Sequence, residues 1–538
     1  MILMPLAVVV VVSFLFFIFR SFIGVLVPSV VVILTFLSVV SMQILLGYKL
    51  NNFTVNIPSF ITAIAIADAM HLYLAWVYYK VKGNDTKESG YLALKSNLIP
   101  IALTSFTTAV GFASLGLSEL EPISTLGIAI TSGAIIALVL SITIAPAILL
   151  TLPKEYKTKA TKIFNLVHIN EYGAFIVKND KKIVVTFFLL FTLVSLGLFN
   201  LKVDSNSLKY FTKDTIVRSG AEFVEKNLTG SMVYEIILDA QKKENAKNPH
   251  FLETIVEFEA LFKEKYPEVR FTHSLKDIVQ RMQKVVSPDA DTPLPKDKNL
   301  VAQYLLLYSM SLPQGMEIND KIDTQERYLR LSINIDLQDT SKDIEMIEWV
   351  KAWWRDNTLY SADVQGQSAI FAYMQASVTE TLIVSISITL LIVALTMLVI
   401  FKNFRLLWIF LLPNIAPILF VGGVMGYLGI SVDIGVAISA AVILGIAVDD
   451  SIHFFSKYFD NRHTQSFEEN IDYIISHSGN AMILTTIILS FTFGIFGVSS
   501  FMPNINFAIV TVIALNIALL FDLVLLPALL SLVDRKQQ

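Results

Sequence analysis

The chain has 538 residues, of which 54% are hydrophobic and only 16% charged, with a mean hydropathy of +0.63. Soluble domains carry about 25% charge, so this chain cannot cover a globule with polar surface and reads as a polytopic membrane protein. It has no cysteine, which excludes disulfides, thiol nucleophiles, thiolate-bound zinc and iron–sulfur clusters. A net charge of −4 offers no basic stripe for a phosphate backbone, so nucleic acid is excluded as a partner.

A helix needs about 20 apolar residues to cross about 30 Å of hydrocarbon. Eleven runs meet that expectation: Ile2–Phe19, Phe22–Gly47, Asn56–Lys80, Leu98–Leu117, Ile123–Leu152, Ile183–Leu201, Ser377–Phe401, Leu406–Gly429, Val432–Tyr458, Ala481–Val498 and Ile505–Val533. The expected organisation is a five-helix bundle over 1–152, a basic linker over 153–182, one helix over 183–201, a soluble domain over 202–376 and a second five-helix bundle over 377–533. The domain holds 22 of the 41 basic and 27 of the 45 acidic residues. Of the other basic residues, eighteen fall in loops on one side of the expected membrane and Lys49 alone on the other. The positive-inside rule then places the C-terminus in the cytoplasm and the soluble domain in the periplasm, in a bacterial inner membrane.

Within the soluble domain, Met232–Ala240 and Arg327–Leu337 alternate as strands do, and Val269–Thr272 and Asp363–Gln365 read as shorter ones. Phe251–Lys265 and Ser341–Asp356 have helical periodicity, which gives two β-α-β units and an α+β, ferredoxin-like split β-α-β expectation. Between them lie proline-rich Val286–Pro295 and a helical stretch, Ala302–Met310. No serine-nucleophile motif, phosphate loop or metal-ligand spacing occurs here, and enzymatic activity is not expected.

The chain repeats itself. An offset of 382 residues superposes Phe19 on Phe401, Gly47 on Gly429, Asp68 on Asp450 and His71 on His453. An offset of 381 continues the match through Leu103-Thr104 on Leu484-Thr485, Pro122 on Pro503 and Pro146-Ala147 on Pro527-Ala528. This is the signature of two parallel membrane repeats related by an axis along the membrane normal. Met1 falls on Ile383, inside a helix, so the first repeat is expected to lack its first helix and first soluble domain. Prolines 28, 146, 413, 417 and 527 read as kinks or span ends.

Carboxylates inside a bilayer cost about 2.5–3.5 kcal/mol each on insertion scales. The chain places Asp68 in its third run, Asp449 and Asp450 in its ninth and Asp522 in its eleventh, with His71 and His453 nearby and no lysine or arginine expected in any span interior. Asp68 with His71, Asp450 with His453, and Asp449 with His453 are spaced by three or four residues and share helix faces. An acid and an imidazole so placed pass a proton when burial brings their proton affinities together. Asp68, His71, Asp449, Asp450 and His453 are therefore the candidate proton relay. Asp522, with Thr485 or Thr486 as its expected partner, is candidate support. The small residues Ala437, Ala441 and Gly445 lead to Asp449, and Ala63 and Ala67 lead to His71, so the third and ninth spans are expected to touch there. Three other readings compete: a static hydrogen-bonded network, a metal site, and an aspartic protease. The second is disfavoured because each helix offers one histidine; no metal or other cofactor is expected. The third is disfavoured because Gly445–Asp449 lacks a second glycine just before the acid.

The ten residues Gly445–Phe454 (GIAVDDSIHF), their counterpart Ala63–Leu72 (AIAIADAMHL), and Thr104–Phe112 (TSFTTAVGF) resemble the resistance-nodulation-cell division (RND) superfamily of exporters. Within it they are most similar to the MMPL-type branch, which also resembles sterol-sensing-domain proteins. The resemblance implies an RND-type membrane fold and proton-driven export of hydrophobic or lipid-like substrate, with the proton carriers in the third and ninth spans. It leaves a periplasmic adaptor or a homo-oligomer as partner classes, besides protons and membrane lipids. The intramembrane lysine of the drug-efflux branch is absent from this reading, which favours lipid-type chemistry. A lipid-sensing protein of the same fold that does not transport is the alternative.

Overall fold

The structure is a computed structural model that describes residues 3–49, 51, 54–156, 171–204, 206–288, 291–313 and 318–534. Residues 157–170 of the basic linker and two residues of the proline-rich stretch lie outside the described residues. The chain forms two compact units, a membrane unit of Met1–Lys202 with Ser377–Gln538, and an α+β unit of Val203–Ala376.

The first half of the membrane unit contains α1 (Leu3–Phe19), α2 (Phe22–Leu45), α3 (Ile57–Val81), α4 (Thr86–Leu115), α5 (Glu121–Leu150) and α6 (Tyr172–Ser195). The α+β unit begins with α7 (Ile216–Asn227), β1 (Met232–Asp239), α8 (Pro249–Lys265), β2 (Val269–His273), α9 (Leu275–Val286) and α10 (Lys298–Ser311). It continues through β3 (Tyr328–Ile335), α11 (Thr340–Asn357) and β4 (Ser361–Gln365). The chain then runs through α12 (Gln367–Phe401), α13 (Phe404–Leu428), α14 (Ile434–Asn461), α15 (Phe467–Ile474), α16 (Asn480–Gly494), α17 (Met502–Leu520) and α18 (Leu526–Val533).

In the α+β unit the sheet order is β2-β3-β1-β4 with every pair antiparallel, the split β-α-β arrangement that the strand and helix patterns predict. Alternation decides which face packs: Tyr234, Ile236 and Leu238 of β1 and Leu329, Leu331 and Ile333 of β3 are buried. Phe258 and Phe262 of α8 and Trp354 of α11 are buried in the same core. Aromatic side chains of this size dominate core energetics. The amphipathic helices α7 and α9 were not expected. The second opens with a capping box in which Ser274 and Asp277 satisfy each other's backbone N–H groups.

Among the described residues, ten helical spans are long and apolar enough to cross a bilayer, and α1, with seventeen residues, is shorter. The expectation of eleven spans becomes ten plus this shorter helix. Four helix starts also move by ten residues or more: α6 begins at Tyr172 and not at Ile183, inside the expected linker, and α12 at Gln367 and not at Ser377, while caps explain the other two. Asp85 caps α4, accepting from the Glu88 N–H at 2.7 Å, so that helix starts at Thr86 and not at Leu98. A capping box of Ser466 and Glu469 starts the tenth expected run at Phe467, which brings His477 into a span.

Two helices occupy the middle of the unit: the apolar windows of α3 and α14 are 100% and 94% buried, against 33% for α2 and 22% for α12. A helix apolar on all faces is stable only when surrounded. The repeats interlock, since α14 packs along α4 and α3 packs along α16. On the flank, α13 lies against α6 and its continuation to Asn200. Glycine is required there, because a Cβ at Gly423 or Gly426 would fall on the carbonyls of Val194 and Gly197.

Two of the long spans are interrupted by π-helical turns, Ile475–Gly479 and Phe521–Leu525. The second has a local cause. Pro527 supplies no N–H to the carbonyl four residues before it, and that carbonyl, of Leu523, instead accepts from the Tyr172 hydroxyl at 2.7 Å. What reads from sequence as a proline kink is a widened turn with its freed acceptor satisfied from α6.

A buried ionisable cluster between the repeats

The third and ninth spans meet through side chains at one point. The rings of His71 on α3 and His453 on α14 stack with centroids 3.8 Å apart and planes within 7°. These residues are repeat counterparts, so the pseudo-twofold axis passes between them and each imidazole faces its own equivalent. Both are buried. Two positive charges about 4 Å apart repel by roughly 4 kcal/mol at an effective dielectric of 20, so the stack accepts one excess proton far more readily than two.

Asp449, one turn before His453, places Oδ1 3.5 Å from His453 Nε2, an ion-pair separation and not a formed hydrogen bond. His71 Nε2, Asp449 Oδ1 and both nitrogens of His453 have no hydrogen-bond partner in the protein. Asp68 is buried and accepts from the Ser105 hydroxyl of α4 at 2.9 Å. A cavity of about 10 Å³ lies between α3, α4 and α14, lined by Asp68, Asp449, Thr104, Ser105 and Thr108 among others. That volume matches one water with polar partners on several sides.

The small residues line this site, where the third and ninth spans touch through their side chains. Ala63, Ala67 and Gly445 face the cavity, and the close backbone approach is to α4, where the Thr108 hydroxyl donates to the Gly445 carbonyl at 3.0 Å. Ala437 and Ala441 are buried higher on the same helix. The reason for the approach to α4 is the interlocked packing, in which α14 lies against α4 of the first repeat while α3 is enclosed largely by helices of its own repeat.

Asp450 is half-buried and lies within electrostatic range of Asp449 and Asp522, away from the stacked rings. Asp522 is held in the π-helical turn and accepts from the Ser451 hydroxyl at 2.5 Å, and Asn414 donates to that same hydroxyl at 3.1 Å. The expected pairing with Thr485 or Thr486 does not form. Thr485 instead donates to carbonyls of its own helix, Ala481 and Met482, as buried threonines in helices do, and Ser451 is closer to the acid.

Sequence reasoning missed three groups. Lys457 was assigned to a loop, yet it is buried one turn beyond His453 and donates to the Ser96 carbonyl. The expectation that no lysine enters a span interior is therefore wrong. Four-residue spacing from Asp449 through His453 to Lys457 was the available signal. His477 is buried in the other π-helical turn, with the Tyr78 ring edge-on at 4.7 Å and Tyr473 at 5.4 Å. Ser105 and Ser451, which hold the acids, lie inside the Thr104–Phe112 and Gly445–Phe454 stretches but were not singled out as partners.

A metal reading must also be tested, because ligand atoms of His71, Asp449 and His453 lie within 4.8 Å of one another, although counting one histidine per helix had argued against it. An imidazole binds a metal through an in-plane lone pair at about 2.0–2.1 Å. Rings stacked face to face direct those lone pairs side by side and not toward a common centre, so the observed geometry does not form a chelate.

Comparison with known proteins agrees with the fold. Crystal structures of SecDF, a translocon-associated membrane protein from Thermus thermophilus, and of SecDF in a super-membrane-facing form superpose with TM-scores of 0.61 and 0.58 at 11% identity. The superpositions cover 100% and 99% of this chain, and the chain spans 62% and 61% of theirs. A Methanocaldococcus jannaschii protein described as a membrane protein, MJ1562, is 27% identical over 126 residues, which are 23% of this chain and 32% of that protein. The chain matches the MMPL family over residues 1–173 and 323–537, and with its interlocked repeats around α3 and α14 it is a member of the MMPL family with an RND-like transporter fold.

Proposed function

We propose that this MMPL protein is a proton-driven exporter of hydrophobic or lipid-like molecules, lying in a bacterial inner membrane with its α+β domain in the periplasm. The observation that carries the reading is the junction itself: stacked histidines from equivalent helices, flanked by Asp68 and Asp449, with several buried polar valences unfilled. Leaving such atoms unpaired costs about 1–3 kcal/mol each, which a structural network would avoid by completing its bonds.

Asp449 and Asp68 are the proton acceptors and the histidine pair is the exchange point between repeats. Asp450 and Asp522 add further acidic groups near Asp449. Because the two central helices meet at the rings, adding a proton changes the electrostatic fit of one repeat against the other. A rocking motion of the repeats would then be coupled to proton occupancy. With Lys457 set aside, the excess of basic residues at the span ends and connections of one face supports the orientation.

The test uses the full chain in liposomes containing an entrapped pH dye and an NBD-labelled phospholipid. An imposed pH gradient should drive proton entry and move the labelled lipid between leaflets, and Asp449→Asn should abolish both. Retained binding of the lipid, with no gradient-driven movement in the unaltered protein, would favour the lipid-sensing alternative of the same fold.

A further inference from the structure

A second pocket, of about 170 Å³, lies at the end of the membrane unit where α4 finishes and the membrane part of α12 begins. It is lined by Ser114, Leu117, Glu119, Ser377, Glu380, Thr381, Val384 and Ser385. Two exposed carboxylates stand at its mouth, and no basic residue lines it. At its floor, Ser385 is 1% exposed and its hydroxyl has no hydrogen-bond partner.

Below the pocket the polar lining continues. On α12, Ser377, Thr381, Ser385 and Thr389 recur every four residues and share one face. Facing them are Ser118 and Ser114, with hydroxyl separations of 3.3 Å from Ser118 to Thr381 and 3.4 Å from Ser114 to Thr389. Thr389 also lies beside Gly111, where an added Cβ would make an ordinary van der Waals contact with its methyl group at 3.4 Å. The same face of α4 then presents Thr108 and Thr104, which line the small cavity beside Asp68 and Asp449. From Ser114 to Thr104 the helix rises about 15 Å. Hydroxyls both donate and accept, so a line of them relays protons where a line of carbonyls would not.

We propose that this hydroxyl-lined seam between α4 and α12, with Glu119 and Glu380 at its mouth, is the route by which protons from the aqueous phase reach Asp68 and Asp449. The proposal rests on the proton-coupled reading above and adds to it a side of entry and a path. The glutamates raise the local cation concentration at the opening, and the buried Ser385 hydroxyl is the first relay beneath them.

The chain has no cysteine, so each introduced thiol is unique. Ser385→Cys and Thr381→Cys should react with a membrane-impermeant cationic methanethiosulfonate at least tenfold faster than Ser387→Cys, an exposed position on the other side of α12. The cationic reagent should outpace its anionic analogue, and Glu119→Gln with Glu380→Gln should remove that preference. Modification of Ser385→Cys should slow proton entry into liposomes about tenfold. Labelling no faster than at Ser387→Cys overturns the route, as does full labelling with unchanged proton entry. Labelling is read without a gradient, so a seam that admits reagent in a protein that never moves protons, even unmodified, overturns the proton-coupled reading together with the route built on it.

Discussion

The two repeats have the same helices in the same order, yet they carry charge differently. On α3 the pattern is Ala67, Asp68, His71, Ala75; on α14 the equivalent positions are Asp449, Asp450, His453, Lys457. Ser141 in the first half corresponds to Asp522, and Ser96 to His477. The two histidines are counterparts that meet each other in three dimensions. Residues off the axis find different neighbours: Asp68 takes Ser105, while Asp522, the acid added near Asp450, takes Ser451. The first half therefore supplies a matching surface, and the second concentrates the ionisable groups along one helix.

That asymmetry can be broken in order of size. Asp449→Asn should reduce proton entry into liposomes by at least a hundredfold, and Asp68→Asn by about tenfold, since α14 carries the acid nearest the rings. Comparable losses from the two would show that the halves contribute equally. Replacing either histidine by alanine should cost about tenfold, and the double variant should cost no more than the worse single one. That non-additivity is expected of residues acting as a unit, and a multiplicative loss would separate them. Lys457→Met should lower proton entry a few-fold and shift its pH profile, whereas Ala75→Lys on the first half should leave the protein unable to pack, because α3 is buried on all sides.

The smallest effect lies in the α+β domain, where a buried acid serves as a structural contrast. Burial pushes the Asp343 carboxyl up to about 6, although Gln338 donates to it at 2.7 Å. Its value in the unfolded chain is about 3.9, so the folded state holds the proton more tightly. The contribution to stability is full below about pH 4, declines as pH rises to about 6 and is flat above, a loss on the order of 2 kcal/mol. Asp343→Asn should remove this decline, followed in the full chain by the fluorescence of Trp349, Trp353 and Trp354. An unchanged pH dependence would assign it to other acids.

Much of the fold was legible because it rests on repeating signals. Apolar runs, strand alternation at Met232–Ala240 and the offset between Asp68 and Asp450 each recur over many residues, so local exceptions do not erase them. Boundaries were less legible: caps such as Asp85 and Ser466 lie among polar residues that look like loop. Lys457 and His477 were missed for the same reason, since a charged side chain near a span end reads as solvated until its surroundings are known. The hydroxyl partners Ser105 and Ser451 lie inside the Thr104–Phe112 and Gly445–Phe454 stretches, yet nothing there distinguishes them from their neighbours, because their role comes from position in the fold.

Sequence alone determined that the chain is a membrane protein of two parallel repeats with an α+β domain, and that Asp68, His71, Asp449, Asp450 and His453 lie on the central helices. Composition and periodicity suffice for this because burial in lipid or in a core constrains residue type directly. Tertiary structure decided which of these groups meet. The stack of His71 on His453, the pairing of Asp522 with Ser451 and the seam of α4 against α12 depend on how helices far apart in the chain are rotated and packed, which periodicity along a single helix does not encode.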